Sequence, residues 1–513
     1  MKKVLCLLMS AMMALSLGAC SKEQGAGKYT PGTYTGEAQG FGGSVTVTIT
    51  TDVNEITQVS IDGSEETSTI GGVAIETLAQ AIKETQSSDV DSVSGATLTS
   101  NAVKAALKQA LNQAMGIVSE KTALNDGTYS VKSTGYSWTG MISADVTIKD
   151  NKIIAITITE EHDSDTGEIA KTAFDLMIPR LIENQSLATD TISGATTTSN
   201  AIRDLVAQAI VLAGGDAAQW QTAVEKKQDT VKLEGYDVIV VGLGGSGILS
   251  YCAAAEAGAN VFGIEKAAKL GGQSATTTGP MVIDSKSSVY EGVNFANPDE
   301  VYQTWIDYVE SDAKAEIIHE AVYNSGKYLD FYMDHFGFEF SGMILSFAKP
   351  EWSQFWTRYV GENGEKNIFG PKKTYQFDRA MEKAVAMNEK NGYQLETSAE
   401  ELIYEGDKIV GVKAVGYDGT TYEVYGDTVI LATGGYIGDE KMVMENWGVM
   451  PNTVAATIND GAGIKMGIDA GGTTYMMSVA PMIHILQVPN MIKNDDLTDY
   501  LEKEGAEAVN TGL

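Results

Sequence analysis

Cysteine is nearly absent from this chain: three in 513 residues, Cys6, Cys20 and Cys252. Cys6 and Cys20 fall in an N-terminal segment that reads as a leader, and Cys252 sits on an Ala-rich helix. No disulfide is therefore available within one mature chain. There is no Cys-x-x-Cys-His, which excludes c-type haem. Histidine is as scarce. His162, His319, His335 and His484 are scattered without metal-ligand spacing, and no metal is expected. Positive charge is short too: 36 Lys and Arg stand against 68 Asp and Glu, a net charge of −32. That deficit argues against nucleic acid, whose binding depends on basic patches. It reads instead as a soluble acidic surface. Apolar runs long enough to span a bilayer are missing beyond the N-terminus. At roughly 100–200 residues per domain, the length suggests three to four domains.

The chain opens with Lys2-Lys3, a mostly apolar run from Val4 to Leu15, then Leu17-Gly18-Ala19-Cys20. A charged start, a short apolar core and small residues before a cut follow the plan of a secretory signal. Leu-x-Ala-Cys resembles a bacterial lipobox. The resemblance implies a signal peptide over 1–19, a lipidated Cys20 and a tether over 20–27. It also implies a location at the extracytoplasmic face of the cell membrane, held by the lipid anchor.

One phrase is written twice. Asp91-Ser-Val-Ser94-Gly95-Ala96-Thr97-Leu-Thr-Ser100-Asn101 returns as Asp190-Thr-Ile-Ser193-Gly194-Ala195-Thr196-Thr-Thr-Ser199-Asn200. Thr97 and Thr196 stand 99 residues apart, so each copy closes a domain of that size. A Ser/Thr-rich helix cap explains one such turn but not its repetition. After each phrase an apolar helical face follows: Val103, Ala106, Leu107, Ala110 and Leu111, then Ile202, Leu205, Val206, Ala209 and Ile210. Before each, Gly32–Tyr34, Val45–Ile49 and Ile56–Ile61 match Gly127–Tyr129, Ala144–Ile148 and Lys152–Ile158, with strand-like alternation. Gly95 and Gly194, with no Cβ, let backbone approach a bulky partner. A helix N-terminus favours phosphate through free N–H groups and the dipole. The phrase resembles the covalent flavinylation motif of FMN-binding domains. The resemblance implies two small α+β domains, 28–117 and 122–215. In each, a flavin transferase joins FMN through its phosphate to a hydroxyl, Thr97 or Thr196. Asp91, Ser94 and Gly95, and Asp190, Ser193 and Gly194, complete the two sites.

A polar helical linker is expected over 216–234. Beyond it, Tyr236–Val241 runs into Gly242-Leu-Gly244-Gly245-Ser-Gly247 and a helix over Ile248–Ala257. A second strand, Asn260–Ile264, ends in Glu265, 18 residues past Gly247. This is the dinucleotide fingerprint in its βαβ setting. The glycines bring backbone to a pyrophosphate, and the acid takes ribose hydroxyls. Lys266, Leu270-Gly271-Gly272-Gln273-Ser274, Leu431-Ala432-Thr433-Gly434-Gly435 and Asn459-Asp460-Gly461 follow in order. Together these resemble the FAD domain of the soluble fumarate reductase and urocanate reductase flavoproteins. The resemblance implies a Rossmann-like domain over 235–513, with Ala399, after the strand-like Gln394–Thr397, lining the adenine. In the membrane succinate dehydrogenase branch a His carries FAD covalently. No His lies between Lys266 and Ile318 here, so FAD is expected to be non-covalent.

In that family arginines and histidines polarise and protonate the alkene of a small unsaturated carboxylic acid. Arg suits this because its fork binds carboxylates bidentately. The last Arg here is Arg379, and the family's Gly-x-Arg-Phe-x-Asn-Glu segment has no counterpart before Leu513. The third domain is therefore expected to be C-terminally incomplete. On the substrate side, His484 falls within a residue of the family's substrate-binding His, and Asp499 where the family has a proton-relay acid. Glu502 stands where the relay has an Arg. Trp352, Phe355, Trp356 and Tyr359 fit either the family's capping region or core packing. The reading is a lipid-anchored flavoprotein reductase. It takes electrons from a membrane electron donor and passes them through FMN to FAD, then to a fumarate-like or urocanate-like acid. The alternative is an electron-transfer module that reduces no substrate of its own, because the catalytic segment is missing.

Overall fold

The computed structural model describes residues 28–478, apart from 65, 118–120, 138, 167, 278, 294, 310–313, 344–356, 367–373 and 450–456. The expectations at Cys20, Trp352, Phe355, Trp356, His484, Asp499 and Glu502 lie outside the described residues. The chain divides into two compact units. One holds residues 1–125, 186–188 and 210–223; the other holds 126–185, 189–209 and 224–513.

The first unit carries an antiparallel meander, β1 (Gly32–Gln39), β2 (Ser44–Thr51) and β3 (Ile56–Asp62). Val45, Val47 and Ile49 of β2 alternate with hydroxyl residues, so one face is fully buried and the other half-buried. Helices α1 (Val73–Thr85) and α2 (Thr97–Ala114) close over the buried face. They do so with Leu78 and Ile82 of α1 and Val103, Ala106, Leu107 and Ala110 of α2. The strands and α2 stand where their periodicity placed them. Helix α1 was not anticipated, although its buried Ala74, Leu78 and Ile82 repeat at helical spacing.

The second unit begins with the same plan. Strands β4 (Gly127–Ser133), β5 (Ile142–Lys149) and β6 (Lys152–Glu160) form a meander, followed by α3 (Glu168–Asn184) and α4 (Thr196–Leu212). Val146, Ile148, Ile153, Met177, Leu181, Leu205 and Val206 are buried. Both copies therefore have the α+β form that the repeat implies.

The rest of the second unit is an α/β layer structure. Strand β7 (Thr230–Val241) leads to α5 (Gly245–Glu256) and β8 (Val261–Ile264). Helices α6 (Pro298–Val309) and α7 (Ala315–Phe336), the short pair β9 (Phe340–Met343) and β10 (Thr357–Tyr359), and α8 (Thr374–Ala386) follow. Then come β11 (Gly392–Gln394), β12 (Thr397–Glu405), β13 (Lys408–Gly416), β14 (Thr421–Leu431), α9 (Glu440–Trp447) and α10 (Ala462–Asp469). The six-stranded sheet runs β11-β8-β7-β14-β13-β12, parallel from β11 to β14 and antiparallel beyond. The end of β7, Val238–Val241, is apolar on both faces because both are covered there. Val240 packs with Ile248, Tyr251, Phe336 and Phe377, whereas Ile239 and Val241 pack with Ile264, Val412, Val424 and Met466.

Two expectations are corrected. Residues 216–234 form no helical linker. Asp216 caps a single 3₁₀ turn, Ala217–Trp220, and the chain enters β7 at Thr230. Tertiary contacts override helix propensity here. Trp220 is buried, its carbonyl accepts the Leu187 N–H at 2.7 Å, and Thr230–Leu233 pair in parallel with Thr421–Val424. Nor is Gln394–Thr397 one strand. The chain breaks at Glu396, whose φ is 49°, because β11 pairs with β8 and β12 with β13. Ala399 is thus inside β12 rather than after a strand.

Each repeat also hides an acid beneath its closing helix. In the first, Glu66 accepts the Thr99 hydroxyl and the Gly42 N–H. In the second, fully buried Asp163 accepts the Thr198 hydroxyl (2.7 Å) and the N–H groups of Tyr136 and Ser137 (2.8 Å each). Removing that carboxylate strands several buried donors at once. Asp163→Ala is expected to destabilise the second repeat by about 3 kcal/mol or more, seen as a lower urea midpoint at unchanged slope. Asp165→Ala, whose side chain is 78% exposed, should change stability by less than about 0.5 kcal/mol. Equal effects of the two would refute the role given to Asp163.

Candidate functional site

The repeated phrase forms the same turn in both copies. Val93 and Ile192 carbonyls accept the N–H of Ala96 (3.0 Å) and Ala195 (2.8 Å). Val93 and Ile192 N–H groups donate to the hydroxyls of Ser100 and Ser199, 3.0 Å in each case. The φ of Gly95 is 85° and that of Gly194 is 87°, a region open to glycine at no steric cost. Thr97 is the first residue of α2 and Thr196 the first of α4. Ala96, at the N-cap of α2, offers no side-chain cap, so that helix end keeps backbone N–H groups free for a phosphate. The Ser at the third position after each Thr closes the loop, a role the motif spacing did not reveal.

The surroundings of the two turns differ. Asp91, Ser94, Gly95 and Thr97 are all exposed. Asp190, Ser193 and Thr196 are half-buried, and only Gly194 is exposed. Seven residues after Thr97, the Lys104 ammonium donates to the Ser92 hydroxyl at 2.7 Å. Seven after Thr196, Arg203 is buried and donates to Asn200 Oδ1 (2.6 Å) and the Thr189 carbonyl (2.8 Å). Burial pushes the Arg203 guanidinium down to about 10, with the Asp190 charge acting against it.

In the third region, the glycine turn sits at the carboxyl ends of parallel β7 and β14, where open α/β sheets bind ligands. The glycines there serve different ends. A Cβ on Gly242 would lie 2.5 Å from the Ala432 carbonyl oxygen, and one on Gly247 1.8 Å from the Gly242 carbonyl oxygen. One on Gly245 would meet the Ser274 hydroxyl at 2.3 Å. These three are demanded by the fold. Gly244 is not: its φ is −75° and the nearest atoms to a Cβ are 3.9 Å away. The space it leaves open faces the uncapped start of α5, a cradle suited to an anionic diphosphate. Gly271 and Gly272, at φ 104° and 48°, lie against it through the Gly244–Gly271 bridge, with Gln273 and Ser274 in the next 3₁₀ turn. Thr433 and Gly434 close the β14 side. The Thr433 hydroxyl would stand 2.1 Å from a Cβ on Gly463, and Asn459 Oδ1 3.0 Å from one on Gly434.

Glu265 is buried at the end of β8. Its Oε2 accepts the Leu243 N–H (2.6 Å) and its Oε1 the Ala267 N–H (2.7 Å). Burial pushes its carboxyl up, and those N–H bonds pull against it. The Lys266 N–H also acts on the carboxylate, and the lone pair left over is the one a ribose hydroxyl would use. Beside it, Lys266 Nζ donates to Asp460 Oδ2 at 2.7 Å. Burial works to raise the Asp460 carboxyl, but Lys266 and the Ala462 N–H outweigh it and hold it below the usual range. Lys266, Ser398, Ala399, Asp460 and Lys465 line a cleft of about 450 Å³, within the range of nucleotide-sized pockets. The structure thus gathers Gly242, Gly244, Gly245, Gly247, Glu265, Lys266, Gly271, Gly272, Ala399, Thr433, Gly434 and Asp460 around the carboxyl ends of β7, β8 and β14. Arg379 is spent elsewhere, on Glu339 and the Gly337 carbonyl.

Comparison with known proteins agrees with this geometry. Residues 237–512 match the FAD binding domain, and residues 40–112 and 137–211 each match the FMN-binding domain. FAD and FMN are therefore the cofactors of this chain. It is 25% identical over 428 residues to the NADH:acrylate oxidoreductase of Vibrio harveyi, covering 70% of this chain and 41% of that protein. It is 25% identical over 358 residues to the urocanate reductase of Eggerthella lenta, covering 66% and 55%. It is 23% identical over 305 residues to the NADH:fumarate oxidoreductase of Klebsiella pneumoniae, covering 57% and 31%. The chain thus spans about half or less of the length of these relatives.

The contrast between two glycines is testable. Gly244→Ala should leave the melting temperature within a few degrees and cut bound FAD by about tenfold, because the new methyl meets only the ligand. Gly247→Ala should lose both FAD and thermal stability, through the clash with Gly242. The measurement is FAD released on denaturation, alongside a thermal melt. Full FAD content in Gly244→Ala would contradict the cradle.

Proposed function

The chain belongs to the FAD-binding domain family, and on that premise we propose that it is a flavin-dependent reductase. Electrons pass through FMN on Thr97 and Thr196 to FAD, and from FAD to a small unsaturated carboxylic acid. The observation that carries the reading is the duplicated attachment turn, with Gly95 and Gly194 in one conformation and a Thr opening a helix two residues later.

Bound FMN and FAD supply the electron-carrying chemistry. The chain's own residues hold and orient them. Each repeat presents one hydroxyl at a helix start. The Gly242–Gly247 turn takes the FAD pyrophosphate, Glu265 the ribose hydroxyls, and Ala399 lines the adenine beside the Lys266–Asp460 pair. His484 and Asp499 are the proposed substrate-side residues, His484 against the acid and Asp499 relaying a proton. The relatives' names, for acrylate, urocanate and fumarate, support the acid as the substrate class. A lipid on Cys20 would hold the protein at the extracytoplasmic face of the cell membrane. There a flavin transferase loads it and a membrane electron donor supplies it.

The test is intact mass after co-expression with a flavin transferase. Two FMN additions are expected, and Thr97→Val or Thr196→Val should each remove one. A single addition in the unaltered protein would disprove one site. The loaded protein should then oxidise a reduced low-potential dye under anaerobic conditions when offered acrylate, urocanate, fumarate or cinnamate. Reduction of its flavins by the dye with no turnover of any acid would favour the electron-transfer module instead.

A further inference from the structure

The two attachment turns differ in what touches them, and the difference has one cause. In the second repeat the turn rests on a platform of the FAD-binding domain. The Ala268 N–H donates to the Ser193 carbonyl (3.4 Å). Lys226 Nζ donates both to the Asp190 carboxylate and to the Tyr417 carbonyl (2.6 Å). Arg180 of α3 clamps the edge of the platform. Its Nη1 and Nη2 donate to Glu396 Oε1 (2.9 Å) and Oε2 (2.6 Å), with the two side chains only 14% and 11% exposed. The guanidinium lies 3.8 Å from the centre of the Tyr417 ring. The platform is itself tied together by backbone hydrogen bonds. Glu396 N–H donates to the Ala267 carbonyl (3.0 Å) and Tyr417 N–H to the Glu396 carbonyl (2.9 Å).

We propose that this docking gates flavin attachment: Thr97 is open to the transferase, whereas Thr196 is modified only when the second FMN-binding domain lifts off the platform. The inference rests on the covalent FMN reading above. The attachment step needs room on the hydroxyl side of the turn. The Thr oxygen forms a bond to the FMN phosphorus, the pyrophosphate bond of the flavin dinucleotide donor breaks, AMP leaves, and the hydroxyl proton passes to solvent. That room exists around Thr97, where Asp91, Ser94 and Gly95 are exposed with it. Around Thr196, itself half-buried, Ser193 meets the platform directly and Asp190 through Lys226. One bidentate Arg–carboxylate pair fixes the register, since its fork matches the carboxylate plane. The hydrogen bonds at Ser193 and Lys226 are polar contacts, as in interfaces that open and close.

The experiment follows FMN arrival at each threonine separately, by peptide mass, in the full FAD-loaded chain with purified transferase and FAD as donor. Thr97 should be modified about tenfold faster than Thr196, the penalty of a site whose open state is about a tenth of the population. Arg180→Gln should bring the two rates within about twofold. Glu396→Gln should do the same, and because it lies on the platform it leaves the packing of the second repeat untouched. Equal rates in the unaltered chain, or a lag that neither variant shortens, would overturn the gate while leaving two-site attachment intact. No FMN on either threonine would overturn the attachment reading and the gate with it.

Discussion

A carboxylate taken out of water is costly unless donors fill its lone pairs, and three such groups hold this protein's flavin loops in place. Glu265 gathers the Leu243 and Ala267 N–H groups, while its own N–H donates to the Gln394 carbonyl and its carbonyl accepts the Thr397 N–H. One residue thereby pins the ends of β7, β8, β11 and β12 to one another. Asp163 and Glu66 do the equivalent in the two repeats, tying a loop to the first turn of α4 and of α2. Backbone N–H groups bond to all three. In a chain with 36 cationic and 68 acidic side chains, cations are few, and backbone N–H groups are the donors at hand. They also fix geometry better than a flexible Lys, since each is aimed by the backbone itself.

The parts legible in the sequence are those whose signal is local. Strand alternation in Val45–Ile49 and Ala144–Ile148, the apolar stripes of α2 and α4, and the glycine turn between β7 and α5 each need fewer than twenty residues to read. The buried acids need more. Glu66 lies 33 residues before Thr99 and Asp163 lies 35 before Thr198, with no shared residue type and no fixed spacing. Arg180 and Glu396 are 216 residues apart. The linker failed for a related reason. Ala217, Ala218 and Gln219 suit a helix, but the burial of Trp220 and the pairing of Thr230–Leu233 lie outside that window and decide against it. The break at Glu396 likewise follows from two strands needing different neighbours, not from Gln394–Thr397 themselves.

The two repeated turns show how far one motif determines its setting. Their internal hydrogen bonds agree to about 0.2 Å, because the same small residues demand the same turn. What surrounds them is set by positions outside the motif. At two helical turns past the Thr, on the same face, the first copy carries Lys104 bonded to Ser92, with its charge in water. The second carries Arg203, sealed from solvent and bonded to Asn200 and Thr189. Arg203 cannot be released to water without opening the repeat. Arg180 meets Glu396 only while the repeat rests on the platform. The second turn is thus built into its neighbours through Arg203 and Ser193, whereas the motif residues of the first are exposed, and identical motifs take different settings.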